Sequence, residues 1–307
     1  MNAGRRVSYY EASARTRVAR LADEASFTEF CPPAQRLTSP HLALLGAPLA
    51  FDDGVVVGRA RLAGMPVLIA AQEGKFNGGA VGEVHGAKIR GLLDRALNEA
   101  SSERPAAVLL LVDSGGVRLH EANAGLIAIS EIMRAVLRVQ AAGIPVFALV
   151  GGSCGAFGGM GIVTRLCNEV IVSELGRIGL SGPEVIETVK GVEEFDSKDR
   201  PLIWRVTGGK LRRTLGEATR LVDDDVAAFR AVVAERLAAE SVQPAHSAPV
   251  ASLASLQAAQ QKLAARLARF STTRDGLEIW GAAGFADPAG VPLLTTASFN
   301  QQLGEAA

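Results

Sequence analysis

Two glycine-rich segments carry the residues whose types and spacing are most suggestive of chemistry. Ser114-Gly115-Gly116 follows the apolar run PAAVLLLVD, and GGSCGAFGG, residues 151–159, follows the apolar run IPVFALV. Glycine permits a tight strand-to-helix turn of any kind. It also lets a ligand oxygen approach bare backbone N–H groups at a helix N-terminus, where negative charge is stabilised. Each segment is therefore either a structural turn or an anion-binding turn, and the rest of the chain must decide.

The second segment also matches the nucleophile-elbow pattern G-x-S-x-G, with Ser153 as the nucleophile. A serine hydrolase would need an acid and then a histidine further along the chain, and only His246 follows Ser153. His246 lies in a Pro/Ala-rich stretch, which is a poor place for a general base. The hydrolase interpretation also leaves the other glycines of both segments without a role. Cys154 has no neighbouring histidine and is better explained as a small apolar filler.

Composition excludes several other classes of protein. The 307 residues include 32 basic and 32 acidic ones, so we expect no electrostatic attraction to nucleic acid or to an anionic membrane. The three cysteines form no CxxC pair, and we expect no metal site. Neither glycine segment contains a Walker A or a G-x-G-x-x-G pattern. The sequence shows no secretory signal and no apolar run of about 18 residues, so we expect a cytoplasmic protein.

The elements that flank the two segments form a regular series. The patterns predict a helix over residues 13–22, a hairpin from Gly54 with Gly64 near its turn, and strands over 106–112, 144–150 and 169–174. A helix is predicted after each glycine segment, and the first ends near Gly143. Its apolar face is expected to contain Leu126, Ile129, Ile132, Met133, Val136 and Leu137. This βαβ series predicts an α/β fold with right-handed crossovers and with both glycine turns at one end of a sheet.

Towards the C-terminus the composition changes. Residues 241–252, SVQPAHSAPVAS, are small, polar and interrupted by proline, which is typical of a linker. An Ala/Gln-rich helix is predicted over residues 253–270. We predict a main domain over residues 1–240, a linker over 241–252 and a helical C-terminal appendage over 253–307. The acidic run Asp223 to Asp225 is interpreted as a solvated turn.

Considered together, these motifs resemble a known family. SGGVRLHE, GAFGG and EVIVSELGRIGLSGPEVIETV are similar to segments of the carboxyltransferase branch of the crotonase superfamily. ARTRVARLADEASFTEF looks like the N-terminal helix of that branch, and EGKFNGGAVGEVHGAKI looks like its glycine-rich segment before the first long helix. The similarity extends from about residue 13 to residue 230. It implies a crotonase-like fold of repeated ββα units with a helical C-terminal appendage.

Within that branch the chain most resembles the β subunits of biotin-independent malonate decarboxylases. The similar β subunits of bacterial acetyl-CoA carboxylase carry a four-cysteine zinc ribbon, whereas this chain has only Cys31 near its N-terminus. The resemblance implies a γ subunit of the same fold, an acyl carrier protein and a transferase subunit for that carrier as partners. The substrate would be a malonyl thioester on the phosphopantetheine-type arm of the carrier, with no cofactor on this chain and no biotin. A β-type half of a biotin-dependent acyl-CoA carboxyltransferase and a noncatalytic scaffold are the alternatives.

The resemblance also suggests a mechanism. Loss of CO₂ from a malonyl thioester leaves an enolate, whose charge gathers on the thioester oxygen and is stabilised by preorganised N–H donors. We predict one such donor from the backbone of Gly115 and Gly116, and another from the backbone of Gly158 and Gly159. The expected substrate-binding residues are Gly78, Gly79, Arg118, Gly152 and Gly155.

Three side chains near the first glycine segment have open roles. His120 is the candidate proton donor to the enolate, and the simpler interpretation is a solvated histidine at a helix start. His85 either approaches the thioester or lines a helix surface. Arg118 either contacts the carrier arm or pairs with a carboxylate such as Glu121. The partner subunit is an alternative source of the acid.

Overall fold

A seven-stranded sheet runs through the part of the chain that the computed structural model describes, which comprises residues 6–35, 37–44, 46, 53–99, 103–242, 253–273 and 275–306. The strands lie side by side in sequence order. β1 to β3 pair antiparallel, and β3 to β7 pair parallel. The strands are β1 Thr28–Phe30, β2 Val55–Leu62, β3 Met65–Gln72, β4 Ala107–Val112, β5 Val146–Val150, β6 Glu169–Ser173 and β7 Arg220–Val222.

Helices connect the parallel strands and follow the sheet. α3 joins β3 to β4, α4 joins β4 to β5, and α5 joins β5 to β6. The α-helices of the described ranges are α1 Ala14–Leu21, α2 Pro40–Leu44, α3 Glu83–Asn98, α4 Ala124–Ala141, α5 Gly158–Leu166, α6 Pro183–Lys190, α7 Arg200–Thr207, α8 Gly209–Thr214, α9 Val226–Val242, α10 Leu253–Phe270, α11 Gly276–Ala282 and α12 Thr296–Ala306.

β4 shows that both faces of the sheet are covered. All six of its residues are buried. Val108, Leu110 and Val112 pack into one core together with residues of α3, α4 and α5. Leu109 and Leu111 pack into a second core with residues of α1 and α9. A strand buried on both faces is a continuous apolar run, which explains why PAAVLLLV shows no alternation.

The predicted α/β series is confirmed. α1 begins after Ser13, whose side chain accepts from the Thr16 N–H and caps the helix. The β2–β3 hairpin turns at Ala63 and Gly64, where φ is 49° and 79°; positive φ at both turn residues matches the twist of the strands. Beyond the sheet, isolated parallel bridges join residues 81 to 117, 114 to 156 and 156 to 178.

Two details of the predicted pattern are wrong. Leu126 and Leu137 are exposed, because the buried stripe of α4 runs through Ile129, Ile132 and Val136. The two leucines lie roughly 100° around the helix from that stripe. The acidic run after β7 is not simply solvated either: Asp224 is buried, and its carboxylate accepts from the backbone N–H of Tyr10 (2.8 Å).

The C-terminal segments pack on the same core as α3 and α4. Trp280, Phe285, Val291 and Phe299 all belong to that core. Because residues 243–252 lie outside the described ranges, the division into a domain, a linker and an appendage stays a prediction. In the ranges that are described, no helix combines the length and the apolar character needed to cross a membrane.

Candidate active site

The two glycine segments lie side by side at the C-terminal ends of two neighbouring strands. Residues 113–116, here named the first turn, follow β4, and residues 151–159, the second turn, follow the parallel neighbour β5. The Ser114 N–H donates to the Gly155 carbonyl (2.7 Å), and the Phe157 N–H donates to the Ser114 carbonyl (2.9 Å). The two turns are therefore joined by backbone hydrogen bonds. They lie at the same end of the sheet, as the order of the strands and helices predicts.

Gly116 and Gly158 face each other across this junction. A methyl group on Gly158 would lie 3.1 Å from the Gly116 Cα. Their φ angles are 138° and 55°, a region that residues with side chains rarely adopt. The contact thus brings backbone against backbone, and the peptide groups beside it are not covered by side chains of these two residues.

Two of the four predicted donor groups already have partners. The Gly115 N–H donates to the Gly78 carbonyl at 2.8 Å. The Gly158 N–H donates to the Leu180 carbonyl at 2.9 Å. These bonds hold the first turn to the loop before α3, and the second turn to the loop after β6.

The other two donor groups are less engaged. Among the described residues, the Gly116 N–H reaches only the Ser114 hydroxyl, at 3.2 Å. The Gly159 N–H has no hydrogen-bond partner in the part of the chain that the structure describes. Gly159 is the second residue of α5, and the first N–H groups of a helix have no acceptor within it. The N-cap residue Phe157 offers no side-chain acceptor.

The predicted substrate-binding glycines have different surroundings. A methyl group on Gly78 would meet nothing within 4 Å, although its φ is 63°. A methyl group on Gly79 would lie 1.8 Å from the Asp113 carbonyl oxygen. A methyl group on Gly152 would lie 2.1 Å from the Asp113 carboxylate. A methyl group on Gly155 would lie 2.6 Å from a backbone carbonyl of the loop after β6. Packing around the turns therefore accounts for glycine at three of these four positions.

Asp113 is a site residue that the sequence analysis missed. Its carboxylate is almost fully buried at the end of β4 and forms an ion pair with the equally buried Arg17 (Oδ2 to Nη1, 2.9 Å). Its Oδ1 accepts from the Cys154 N–H at 2.7 Å. The Arg17 Nε donates to the Tyr9 carbonyl at 2.9 Å. An arginine within the buried stripe of α1 was the available signal, because a buried charge needs a partner.

Arg118 pairs with Glu121, which was one of its two expected roles. The Nη1 to Oε1 distance is 3.1 Å, and both side chains are buried. The Arg118 Nη2 also lies 3.3 Å from the carbonyls of Asp53 and Ala80. This side chain joins the loop before α3 to the residues after the first turn.

The two histidines near the first turn differ in accessibility. His85 is fully buried: its Nδ1 lies 2.9 Å from the Asp53 carbonyl and its Nε2 lies 2.9 Å from the Gln72 amide nitrogen. Burial, together with the charge of Arg118, lowers the pKa of His85 to about 3. The ring is therefore neutral, and both of its nitrogens already have hydrogen-bond partners. His120 is exposed in a short 3₁₀ turn, Leu119–Glu121.

The surroundings of Ser153 do not form a hydrolase triad. No histidine of the described ranges hydrogen-bonds to Ser153, and His246 lies outside those ranges. The Cys154 thiol donates to the Gly74 carbonyl (3.3 Å). Burial, reinforced by the Asp113 charge, raises the pKa of this thiol, which disfavours the nucleophilic thiolate. Over the same ranges, no cluster of His, Cys, Asp or Glu side chains is arranged to hold a metal ion.

An apolar surface borders the two turns. Leu119, three residues after Gly116, is 81% exposed, and Leu180, whose carbonyl accepts from Gly158, is 71% exposed. A separate cleft of about 430 Å³ is lined by residues 121–124 and by residues of α2, α3 and α4. Two large apolar side chains close to the turns are therefore exposed on this chain.

Comparison with known proteins identifies the class of protein to which this fold belongs. The Carboxyl transferase domain family matches residues 11–252, and the chain belongs to this family. Within the family, its resemblance is to malonate decarboxylase chains. A chain of the Pseudomonas malonate decarboxylase hetero-tetramer in complex with malonate has a TM-score of 0.77 and 38% identity, and the match covers 90% of this chain and 97% of that chain.

Two further relatives are similar over most of this chain. The Pseudomonas malonate decarboxylase MdcD–MdcE hetero-dimer gives a TM-score of 0.62 and 40% identity over 75% of this chain and 88% of that chain. The Malonomonas rubra protein malonyl-S-ACP:biotin-protein carboxyltransferase MADC is 36% identical over 305 residues, which is 96% of this chain and 95% of that protein. The predicted crotonase-like α/β fold and the predicted family are therefore confirmed.

Proposed function

We propose that this chain, with a partner subunit, decarboxylates a malonyl thioester carried by an acyl carrier protein. The bond between the carboxylate carbon and the α carbon breaks, CO₂ leaves, and the electron pair passes to the thioester as an enolate. A proton donor then protonates the α carbon, and the product is the acetyl thioester. Because the charge develops on the thioester oxygen, donors aimed at that oxygen stabilise the transition state more than the substrate.

The contact between Gly116 and Gly158 carries this proposal. It supports an oxyanion hole in which the Gly116 N–H and the Gly159 N–H both donate to the thioester oxygen. The Gly115 and Gly158 N–H groups, which already have acceptors, then hold the two turns in place. Each donor of such a hole contributes about 2.7–4 kcal/mol to transition-state stabilisation. The N-terminal end of α5 adds a favourable dipole.

Further residues of this chain receive supporting roles. His120 is our candidate for the proton donor, since its side chain is exposed close after the first turn. The open space around Gly78 favours it as a substrate contact. We assign Gly79, Gly152 and Gly155 to the frame of the turns. Arg118 supports the first turn through Glu121.

The partner that we propose is a γ subunit of the same fold. The solved relatives are a hetero-tetramer and a hetero-dimer, and the exposed Leu119 and Leu180 beside the two turns fit a subunit interface. An acyl carrier protein would deliver the substrate, and a transferase subunit would load that carrier. We propose that this chain binds no cofactor and that biotin takes no part.

Reconstitution tests this function. The chain is combined with a γ subunit and malonyl-S-acyl carrier protein, and CO₂ release and the acetyl-S-carrier product are measured by mass spectrometry. We expect full turnover without biotin. Acetyl-S-carrier formation that requires a biotin carrier protein, with carboxybiotin formed in place of released CO₂, would contradict decarboxylation and indicate carboxyl transfer instead.

A further inference from the structure

We propose that Asp113 is a positioning residue: its carboxylate holds the second turn in the geometry that the reaction needs. This inference rests on the function proposed above. Asp113 belongs to the first turn, and its Oδ1 accepts from the Cys154 N–H, in the second turn, at 2.7 Å. Among the described residues, no other side chain of the first turn bonds to the second.

The surrounding chain is built to admit this carboxylate. A methyl group on Gly74 would lie 2.7 Å from the Asp113 carboxylate, and one on Gly152 would lie 2.1 Å from the same carboxylate. The backbone of Asp113 is enclosed as well, because a methyl group on Gly79 would lie 1.8 Å from its carbonyl oxygen. Two loops, the β3–α3 connection and the second turn, thus make room for one acidic residue. Gly74 and Gly152 make room for the side chain of Asp113, and Gly79 makes room for its backbone carbonyl.

Arg17 supplies the charge that allows a carboxylate at this depth. It lies 2.9 Å from the other carboxylate oxygen, and each side chain is only 2% exposed. Its own position is fixed by the Tyr9 carbonyl and by the Tyr9 ring, whose centroid is 4.6 Å away. The carboxylate is therefore oriented from α1, so that Oδ1 remains directed at the second turn. A charge-assisted bond of this kind is shorter and stronger than a neutral one.

The bond is linked to the proposed oxyanion hole through a few peptide groups. From Cys154 the chain continues to Gly155, which accepts from Ser114, and then to Phe157, which donates to Ser114. Gly159 follows two residues later. Loss of the Asp113 bond would let this segment shift relative to Gly116. Because a hole acts on the transition state, a shift should lower kcat and leave KM nearly unchanged.

Two matched double variants separate positioning from folding. Both carry Arg17→Met, so neither leaves a buried unpaired charge. In the first, Asp113→Asn keeps an oxygen that accepts from the Cys154 N–H. In the second, Asp113→Leu fills the space without an acceptor. The complexes are compared by thermal unfolding, by kcat and KM for the malonyl-carrier thioester, and by amide hydrogen exchange resolved at Cys154.

We expect the Leu variant to show a kcat at least about tenfold below that of the Asn variant, with KM within about twofold, since an error near 1 Å in a reacting group can cost about 10²-fold. Exchange at the Cys154 amide should be about tenfold faster in the Leu variant. Equal exchange, or different exchange with equal kcat, would overturn the proposal. If the parent complex shows no decarboxylation, the proposed function fails, and exchange alone then decides whether the carboxylate holds the turn.

If either double variant fails to assemble, one single variant replaces the comparison. Gly152→Ala leaves the charges intact and pushes against the carboxylate, whereas Gly91→Ala on α3 meets nothing within 4 Å and is the control. We expect faster exchange at Cys154 and a lower kcat only for Gly152→Ala. Parental exchange at Cys154 in an assembled Gly152→Ala complex would overturn the proposal.

Discussion

At the scale of single residues, Ser153 stands in a nucleophile pattern without the groups that activate a nucleophile. The structure gives it no histidine partner in the described ranges, and its neighbour Cys154 is held as a thiol. Ser153→Ala should therefore retain decarboxylation within about twofold of the parent, because no covalent step passes through the hydroxyl. Stoichiometric labelling of the parent by a fluorophosphonate, lost in Ser153→Ala, would restore the hydrolase interpretation.

His85 should make the folded chain sensitive to acid. Burial holds its pKa at about 3, whereas an unfolded histidine has a pKa of about 6.5. Between these values the unfolded state binds a proton that the folded state does not, so stability falls as the pH falls, by about 1.4 kcal/mol per unit.

The corresponding variant is His85→Gln. Between pH 7 and pH 5 it should lose about 2 kcal/mol less than the parent in urea unfolding, since only the part of this interval below pH 6.5 contributes. His120→Gln, at an exposed site, is the control and should follow the parent. An identical pH dependence in all three proteins would show that the buried ring does not determine it.

The sequence was sufficient to find the glycine turns but not the role of Asp113, whose side chain joins them. Gly115, Gly116, Gly158 and Gly159 were predicted because adjacent glycines after a strand are visible in the chain itself. Asp113 was not, since its partner Arg17 is distant in sequence and only the fold brings the two together. Which N–H groups are free was also invisible, because Gly78 and Leu180 accept through backbone atoms that any residue has.

At the scale of elements, the predictable parts are those with a strong local pattern. Apolar runs, apolar periodicity and clear turn residues predict β2 to β6, α1, α4 and α10. β1 and β7 have only three residues each, too few to show a period. α6, α7 and α8 are short, and the packing of α7 and α8 on α11 depends on contacts far apart in the sequence.

One buried lysine bonds to the C-terminal segments at three carbonyl groups. Lys210, on α8, donates to the carbonyls of Val291 (3.3 Å), Pro292 (2.8 Å) and Leu294 (2.6 Å). Its burial lowers its pKa. Lys210→Met keeps the aliphatic stem and removes the three bonds, so we expect a loss of about 1.5–3 kcal/mol in unfolding free energy and earlier proteolysis beyond α11. Lys262→Met, exposed on α10, is the control. Equal stability of the two variants would contradict this role.

At the scale of the whole molecule, large apolar side chains close to the two turns are exposed. A complete pocket would need a second surface to cover Leu119 and Leu180. We therefore expect the purified chain alone to release no CO₂ from malonyl-S-acyl carrier protein, and to gain this activity when the γ subunit is added. Titration with that subunit, followed by size-exclusion chromatography and CO₂ release, measures both. Full activity of the lone chain would contradict the shared site.

The central claim is that the two glycine turns stabilise the enolate, and Gly116→Val tests it most directly. The branched side chain would stand where backbone and substrate meet, at a φ of 138°. The measurement is single-turnover decarboxylation of malonyl-S-acyl carrier protein by the assembled complex, with thermal unfolding as the check on folding. Gly64→Val, in the hairpin turn with a φ of 79° and open space around it, is the control for backbone strain. We predict that the rate of Gly116→Val is lower than that of the parent by a factor of about 10²–10³. Gly64→Val should keep the parental rate. A Gly116→Val complex that assembles, melts like the parent and decarboxylates at the parental rate would contradict the claim.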